Sequence, residues 1–136
     1  MSFEALIYNK FVTTAFNAGD YTADVSTWTV ASGDVVANQW VKLLPKVLLW
    51  NIAIAATSTV GAGNFALSIL LPNSMTTPFA AGSFALKPGY ALNNGVIIQD
   101  TIVQVADSTH ISIHRAGATY NAGNMSLYFT ITMGVD

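Results

Sequence analysis

The stretch Asn124-Met125-Ser126-Leu127-Tyr128-Phe129-Thr130-Ile131-Thr132-Met133 alternates residue by residue. Met125, Leu127, Phe129, Ile131 and Met133 fall on one side, and Asn124, Ser126, Tyr128, Thr130 and Thr132 on the other. Successive side chains of extended backbone point to opposite faces, so a period of two marks a strand with one face buried. The spacing predicts a strand over 124–133.

The same period runs back through the chain. Strands are predicted over 109–115 and 96–105, preceded by Asn93-Asn94-Gly95, whose residues tolerate the positive φ of a tight hairpin turn. Another is expected over 64–71, with Phe65, Leu67, Ile69 and Leu71 on one face and Pro72 as its stop. Val47 to Ile54 is apolar on both faces, which indicates burial inside a sandwich and again at a subunit contact. Val35 to Lys42 alternates ahead of it. Thr57–Gly63 reads as a small-residue loop, and 73–89 as a loop with one short strand around Phe84. The expected core is Leu48, Trp50, Ile52, Ile54, Phe65, Leu67, Ile69, Ile111, Ile113, Leu127, Phe129 and Ile131.

Residues 1–20 differ. Phe3, Leu6, Ile7 and Phe11 recur near helical spacing before Asn17-Ala18-Gly19-Asp20 breaks the pattern, so this segment reads as a short helix or an extended arm. The chain is thus expected to be all-β: an antiparallel, jelly-roll-like β-sandwich over 21–136 carrying an N-terminal arm over 1–20.

Composition narrows the function. The 136 residues are 52% hydrophobic and 9% charged, against about 25% charged in ordinary soluble domains. A surface so poor in charge is expected to be covered by copies of the chain or by a larger assembly. The formal net charge of −2 lacks the basic excess that phosphate neutralisation needs, which argues against nucleic acid. The most apolar stretch, Val47–Ala56, falls short of the roughly 20 residues of a membrane span. No basic segment leads into an apolar one at the N-terminus, so no secretory signal is read there. The absence of cysteine excludes disulfides, thiolate nucleophiles and Cys-ligated zinc.

Catalytic patterns are missing. His110 and His114 share a strand face about 13 Å apart, too far to hold one metal ion together, and read as solvated residues with Ser112 between them. Asp20 with Asp24, and Asp100 with Asp107, are formal carboxylate pairs, but turn aspartates that bond nearby amides account for them. Gly61-Ala62-Gly63 precedes a strand rather than a phosphate-binding helix, and there is no Gly-x-Ser-x-Gly elbow. No nucleophile, base and orienting group stand in recognisable order, so neither an enzyme nor a cofactor is expected.

The runs Asn38-Gln39-Trp40-Val41-Lys42, Lys46-Val47-Leu48-Leu49-Trp50-Asn51-Ile52-Ala53-Ile54 and Leu67-Ser68-Ile69-Leu70-Leu71-Pro72 carry a resemblance, together with Ile111-Ser112-Ile113-His114-Arg115 and Phe129-Thr130-Ile131-Thr132. They resemble the small β-sandwich domains of tailed-bacteriophage fibres and capsid-decorating proteins, which look like trimeric tumour-necrosis-factor-type jelly rolls. The resemblance implies a virion structural protein. With no heptads and no β-rich shaft ahead of the sandwich, the expectation is a homotrimeric decoration, or cement, protein on the capsid surface. It would bind the major capsid protein and stabilise the shell. The alternative is a fibre module that recognises host surface glycan. Phe3, Leu6, Ile7 and Phe11 are the expected capsid anchor, and Trp40, Leu49 and Tyr128 the expected trimer interface.

Overall fold

The computed structural model describes residues 10–83 and 89–136. These form strands β1 (Val12–Thr13), β2 (Tyr21–Ala23), β3 (Trp28–Thr29), β4 (Val35–Leu44), β5 (Val47–Val60) and β6 (Ala66–Leu70). They continue with β7 (Tyr90–Asn93), β8 (Val96–Ile97), β9 (Thr101–Asp107), β10 (His110–Arg115) and β11 (Gly123–Gly134). The only helical pieces among the described residues are three short 3-10 turns at Ala18–Asp20, Ser32–Asp34 and Pro72–Ser74.

Two antiparallel sheets pack face to face. The larger runs in the order β1-β4-β5-β11-β7-β8, with β3 paired to one end of β5, and the smaller runs β2-β6-β10-β9. The β-sandwich expected from the periodicity is the observed architecture. Its centre is the long ladder between β5 and β11, where Trp50 lies opposite Ile131 and Ile52 opposite Phe129. From the smaller sheet Leu67, Ile69, Ile111, Ile113, Val103 and Val105 close the core. Trp50 meets Phe129 edge to face, with ring centroids 6.3 Å apart and planes at 85°, a geometry the ring quadrupoles favour.

Three polar side chains drawn into this core are held by hydrogen bonds. Asn38, buried on β4, accepts from Trp50 Nε1 at 2.8 Å and donates to the Tyr21 hydroxyl at 3.1 Å. Ser58 accepts from Trp28 Nε1 at 3.3 Å and donates to the Met125 carbonyl at 2.6 Å. The fully buried Asn64 accepts from the Val25 and Ser26 amides and donates to Ser26 Oγ and the Gly61 carbonyl, which holds the 25–28 loop against the next one. A buried indole or amide without such partners would destabilise the fold.

Turn chemistry follows the sequence closely at Asn94-Gly95, where both residues have positive φ, 53° and 76°, as a two-residue hairpin between β7 and β8 requires. Gly123 opens β11 at φ 137°, and its α-carbon lies so close to Asn94 that a side chain there would overlap Asn94 Oδ1.

Several expectations are corrected. Residues 57–60, expected in a loop, continue β5 to Val60, because Ser58, Thr59 and Val60 pair with the start of β11 and with β3. The expected strand 96–105 is two strands in different sheets, β8 and β9, separated by the turn that contains Asp100. Phe65 is not in the core. It is 48% exposed, because it precedes β6 in the turn where Asp24 accepts from the Phe65 and Ala66 amides. The remaining expected core residues are buried. The arm is extended at Val12 and Thr13, which pair with Trp40 and Gln39 at the edge of β4, and it ends in the 3-10 turn at Ala18–Asp20. Residues 1–9 and the expected strand at Phe84 lie outside the described residues.

Candidate self-association face

Because Leu48, Trp50, Ile52 and Ile54 of β5 and Leu127, Phe129 and Ile131 of β11 point into the core, the residues between them form the outer face of the larger sheet. The ladder registers arrange this face in three rows across the strands. One is Val41, Leu49 and Thr132. The next is Thr13, Gln39, Asn51 and Thr130. The third is Ala37, Ala53, Tyr128 and Tyr90. No side chain in the rows is charged.

The rows grade from apolar to polar to aromatic. Leu49, Asn51, Ala53, Ala37 and Gln39 are half-buried within the single chain, whereas Thr13, Thr130 and Thr132 are exposed. Tyr128 and Tyr90 stack with centroids 6.1 Å apart and planes at 24°, and they are 39% and 46% exposed. The Tyr128 hydroxyl lies 3.4 Å from Thr130 Oγ1, which donates to Asn51 Oδ1 at 3.2 Å. An uncharged sheet face with two stacked tyrosines is suited to docking on another surface, because desolvating it removes no charge from water, and a cleft of about 350 Å³ lined by Thr13, Ala37 and Gln39 among others opens at its β1 edge.

Of the interface residues expected from the sequence, Leu49 and Tyr128 lie on this face. Trp40 does not: it sits opposite Trp50 in the ladder and packs against the core. Its parity could have been read only with the pairing register in hand. Asn51, Gln39, Thr130 and Tyr90 were missed because the ladders that align them join distant segments. Of the expected anchor residues, Phe11 is 47% exposed just before β1. Phe3, Leu6 and Ile7 lie outside the described residues.

Asp20, Asp107 and His110 sit elsewhere, and His110 and Asp107 are held in local structure. On the smaller sheet His110 Nδ1 lies 3.0 Å from Asp107 Oδ1 and 2.9 Å from Thr109 Oγ1. Ser112, expected to be solvated, is buried at the centre of that sheet between Ser68 and Gln104. Burial works to raise the Asp107 carboxyl, but the Thr109 amide and His110 outweigh it and hold it below the usual carboxylate range. Asp20 moves the other way, because burial raises it more than the nearby His110 lowers it. Among the described residues no cluster of three His, Asp or Glu side chains could hold a metal ion.

At the opposite end, a cleft of about 300 Å³ opens beside Arg115 and is lined by Asn93, Ile97, Asp100 and Asn121, among others. Its Asn93, Asp100 and Arg115 side chains are engaged. Arg115 pairs with Asp100 at 2.9 Å and donates to the Thr119 carbonyl at 2.6 Å. Asn93 donates to the Asn121 and Asn124 carbonyls and accepts from the Asn121 amide. Burial pushes Asp100 up, but its bonds from Arg115 and the Gly117 amide hold it below the usual carboxylate range. These contacts pin the 116–122 loop to the sandwich and leave no nucleophile beside a base.

Comparison with protein-family models, curated proteins and solved structures yields no match.

Proposed function

We propose that the protein is a non-catalytic structural component of a tailed-phage virion, a homotrimer of the decoration class. On this reading it lies on the capsid surface, binds the major capsid protein and stabilises the shell without a cofactor or nucleic acid. The observation that carries the reading is the outer face of the larger sheet: three rows of uncharged side chains on a chain that is 9% charged. The resemblance of the sandwich strands to phage decoration and fibre domains supplies the setting. Phe3, Leu6, Ile7 and Phe11 are assigned to the capsid contact, where three arms per trimer add avidity without any chemical step.

A second reading is a receptor-binding module for host surface glycan. The exposed Tyr90–Tyr128 stack favours it, because aromatic faces pack on sugar rings. Imaging of intact particles with the chain labelled separates the two. Regular copies over the shell support decoration, copies at the tail support receptor binding, and absence from purified particles contradicts both.

A further inference from the structure

Asn94, which turns the chain between β7 and β8, is the only asparagine of the sequence followed by glycine. Asn94 and Gly95 are both exposed, with φ of 53° and 76°. The Asn94 side chain is tied at both ends of its amide. Its Oδ1 accepts from the Asn124 amide at 2.9 Å, and its Nδ2 donates to the Ala122 carbonyl at 3.1 Å. The Asn94 backbone N–H donates to the Asn124 carbonyl at 2.9 Å. Gly123 permits this close approach, since a side chain there would overlap Asn94 Oδ1.

We propose that Asn94 is the chain's site of spontaneous deamidation, that its bonds to residues 122 and 124 hold the reaction back in the folded protein, and that conversion releases the β7–β8 hairpin from the start of β11. Glycine presents its backbone nitrogen with no side chain in the way. That nitrogen attacks Asn94 Cγ and closes a succinimide ring, while the Cγ–Nδ2 bond breaks and Nδ2 leaves as ammonia with the Gly95 amide proton. Water then opens the ring at either carbonyl, leaving aspartate or isoaspartate. Swinging Cγ onto the Gly95 nitrogen moves both amide atoms and breaks the bonds to Asn124 and Ala122, which slows ring closure by about tenfold or more. After conversion an anionic oxygen takes the place of the Nδ2 donor and faces the Ala122 carbonyl, two acceptors with no proton between them. Isoaspartate also adds a carbon to the main chain inside a two-residue turn, where loop length sets the strand register.

The test incubates the full chain in warm, mildly alkaline buffer, both folded and in guanidinium chloride, and follows conversion by intact mass and by peptide mapping with isoaspartate methyltransferase. In denaturant Asn94 should be the first asparagine converted, and Asn94→Gln should remove that conversion. A first conversion elsewhere, for example at Asn73 before Ser74, overturns the assignment of the site. The folded chain should convert at Asn94 about tenfold or more slowly than the unfolded one; equal rates overturn the hold. Gly123→Ala, confirmed as folded by circular dichroism, should convert faster than the folded wild type, and an unchanged rate overturns the part played by the Gly123 contact. The comparison of folded with unfolded wild type stands whether or not that variant folds. Converted protein, separated by its added negative charge, should exchange amide hydrogens faster over 90–97 and 122–125 and as before over β9 and β10. Unchanged exchange at the hairpin overturns its release.

Discussion

Trp50 Nε1 donates to Asn38 Oδ1 at 2.8 Å, and both residues are buried on neighbouring strands of the larger sheet. Asn38 also donates to the Tyr21 hydroxyl at 3.1 Å, so one amide ties that sheet to β2 of the smaller one. Asn38→Leu strands an indole N–H and a phenol in the core. It is expected to destabilise the fold by about 1–3 kcal/mol, the cost of unpaired buried polar groups, as measured by urea unfolding. Asn38→Asp, which keeps an acceptor for Trp50 but loses the donor to Tyr21 and adds a charge, should not rescue it.

Phe129 is 2% exposed and packs edge to face on Trp50. Truncation to Ala should cost about 3–5 kcal/mol, the sum of lost transfer energy and the cavity left behind. Chemical denaturation reads the value directly. A change below about 1 kcal/mol would mean that the ring does not occupy the core.

Gly123→Ala tests the start of β11. The added methyl group enters a backbone region of φ 137° and meets the Asn94 side chain. A loss of about 1–3 kcal/mol is expected from the strain. Asn94→Ala in the same chain should relieve the steric part while losing the Asn94 bonds to Asn124 and Ala122.

The Asp100–Arg115 pair gives a signed pH dependence. The folded state holds Asp100 below its ordinary value, so its ionised form contributes stability above the unfolded carboxylate pKa of about 3.9. That contribution is lost as pH falls through the lower folded value. Asp100→Asn should therefore be less stable than wild type at pH 7, and the gap should close toward pH 3. A gap that widens on acidification contradicts the assignment.

The arm yields a separable outcome. Because Val12 and Thr13 pair with β4, the informative deletion removes residues 2–9 and spares the strand. The truncated chain should stay folded and trimeric by circular dichroism and sedimentation but fail to co-sediment with undecorated shells. Retention of full shell binding would move the contact to the sandwich.

Much of the fold was legible because the strands of the core keep a strict period of two. Trp50, Ile52 and Ile54 on β5 and Leu127, Phe129 and Ile131 on β11 could be assigned from alternation alone. Phe65 misled because alternation does not mark where a strand begins, and the Asp24 turn that ends pairing there is set by residues forty positions earlier. The break between β8 and β9 falls at the polar run Gln99-Asp100-Thr101, but three polar residues do not by themselves send the chain to the other sheet, and the Asp100–Arg115 contact that shapes the turn is long-range. The candidate face was half legible. Leu49 and Tyr128 follow from parity, but aligning Gln39, Asn51 and Thr130 into one row needs the registers between strands, which no local pattern contains.

Sedimentation velocity of the 136-residue chain at micromolar concentration tests whether copies of the chain cover the uncharged face. One species of three 14.4 kDa chains, with no stable folded monomer, is expected. A monodisperse, folded monomer at that concentration would contradict it.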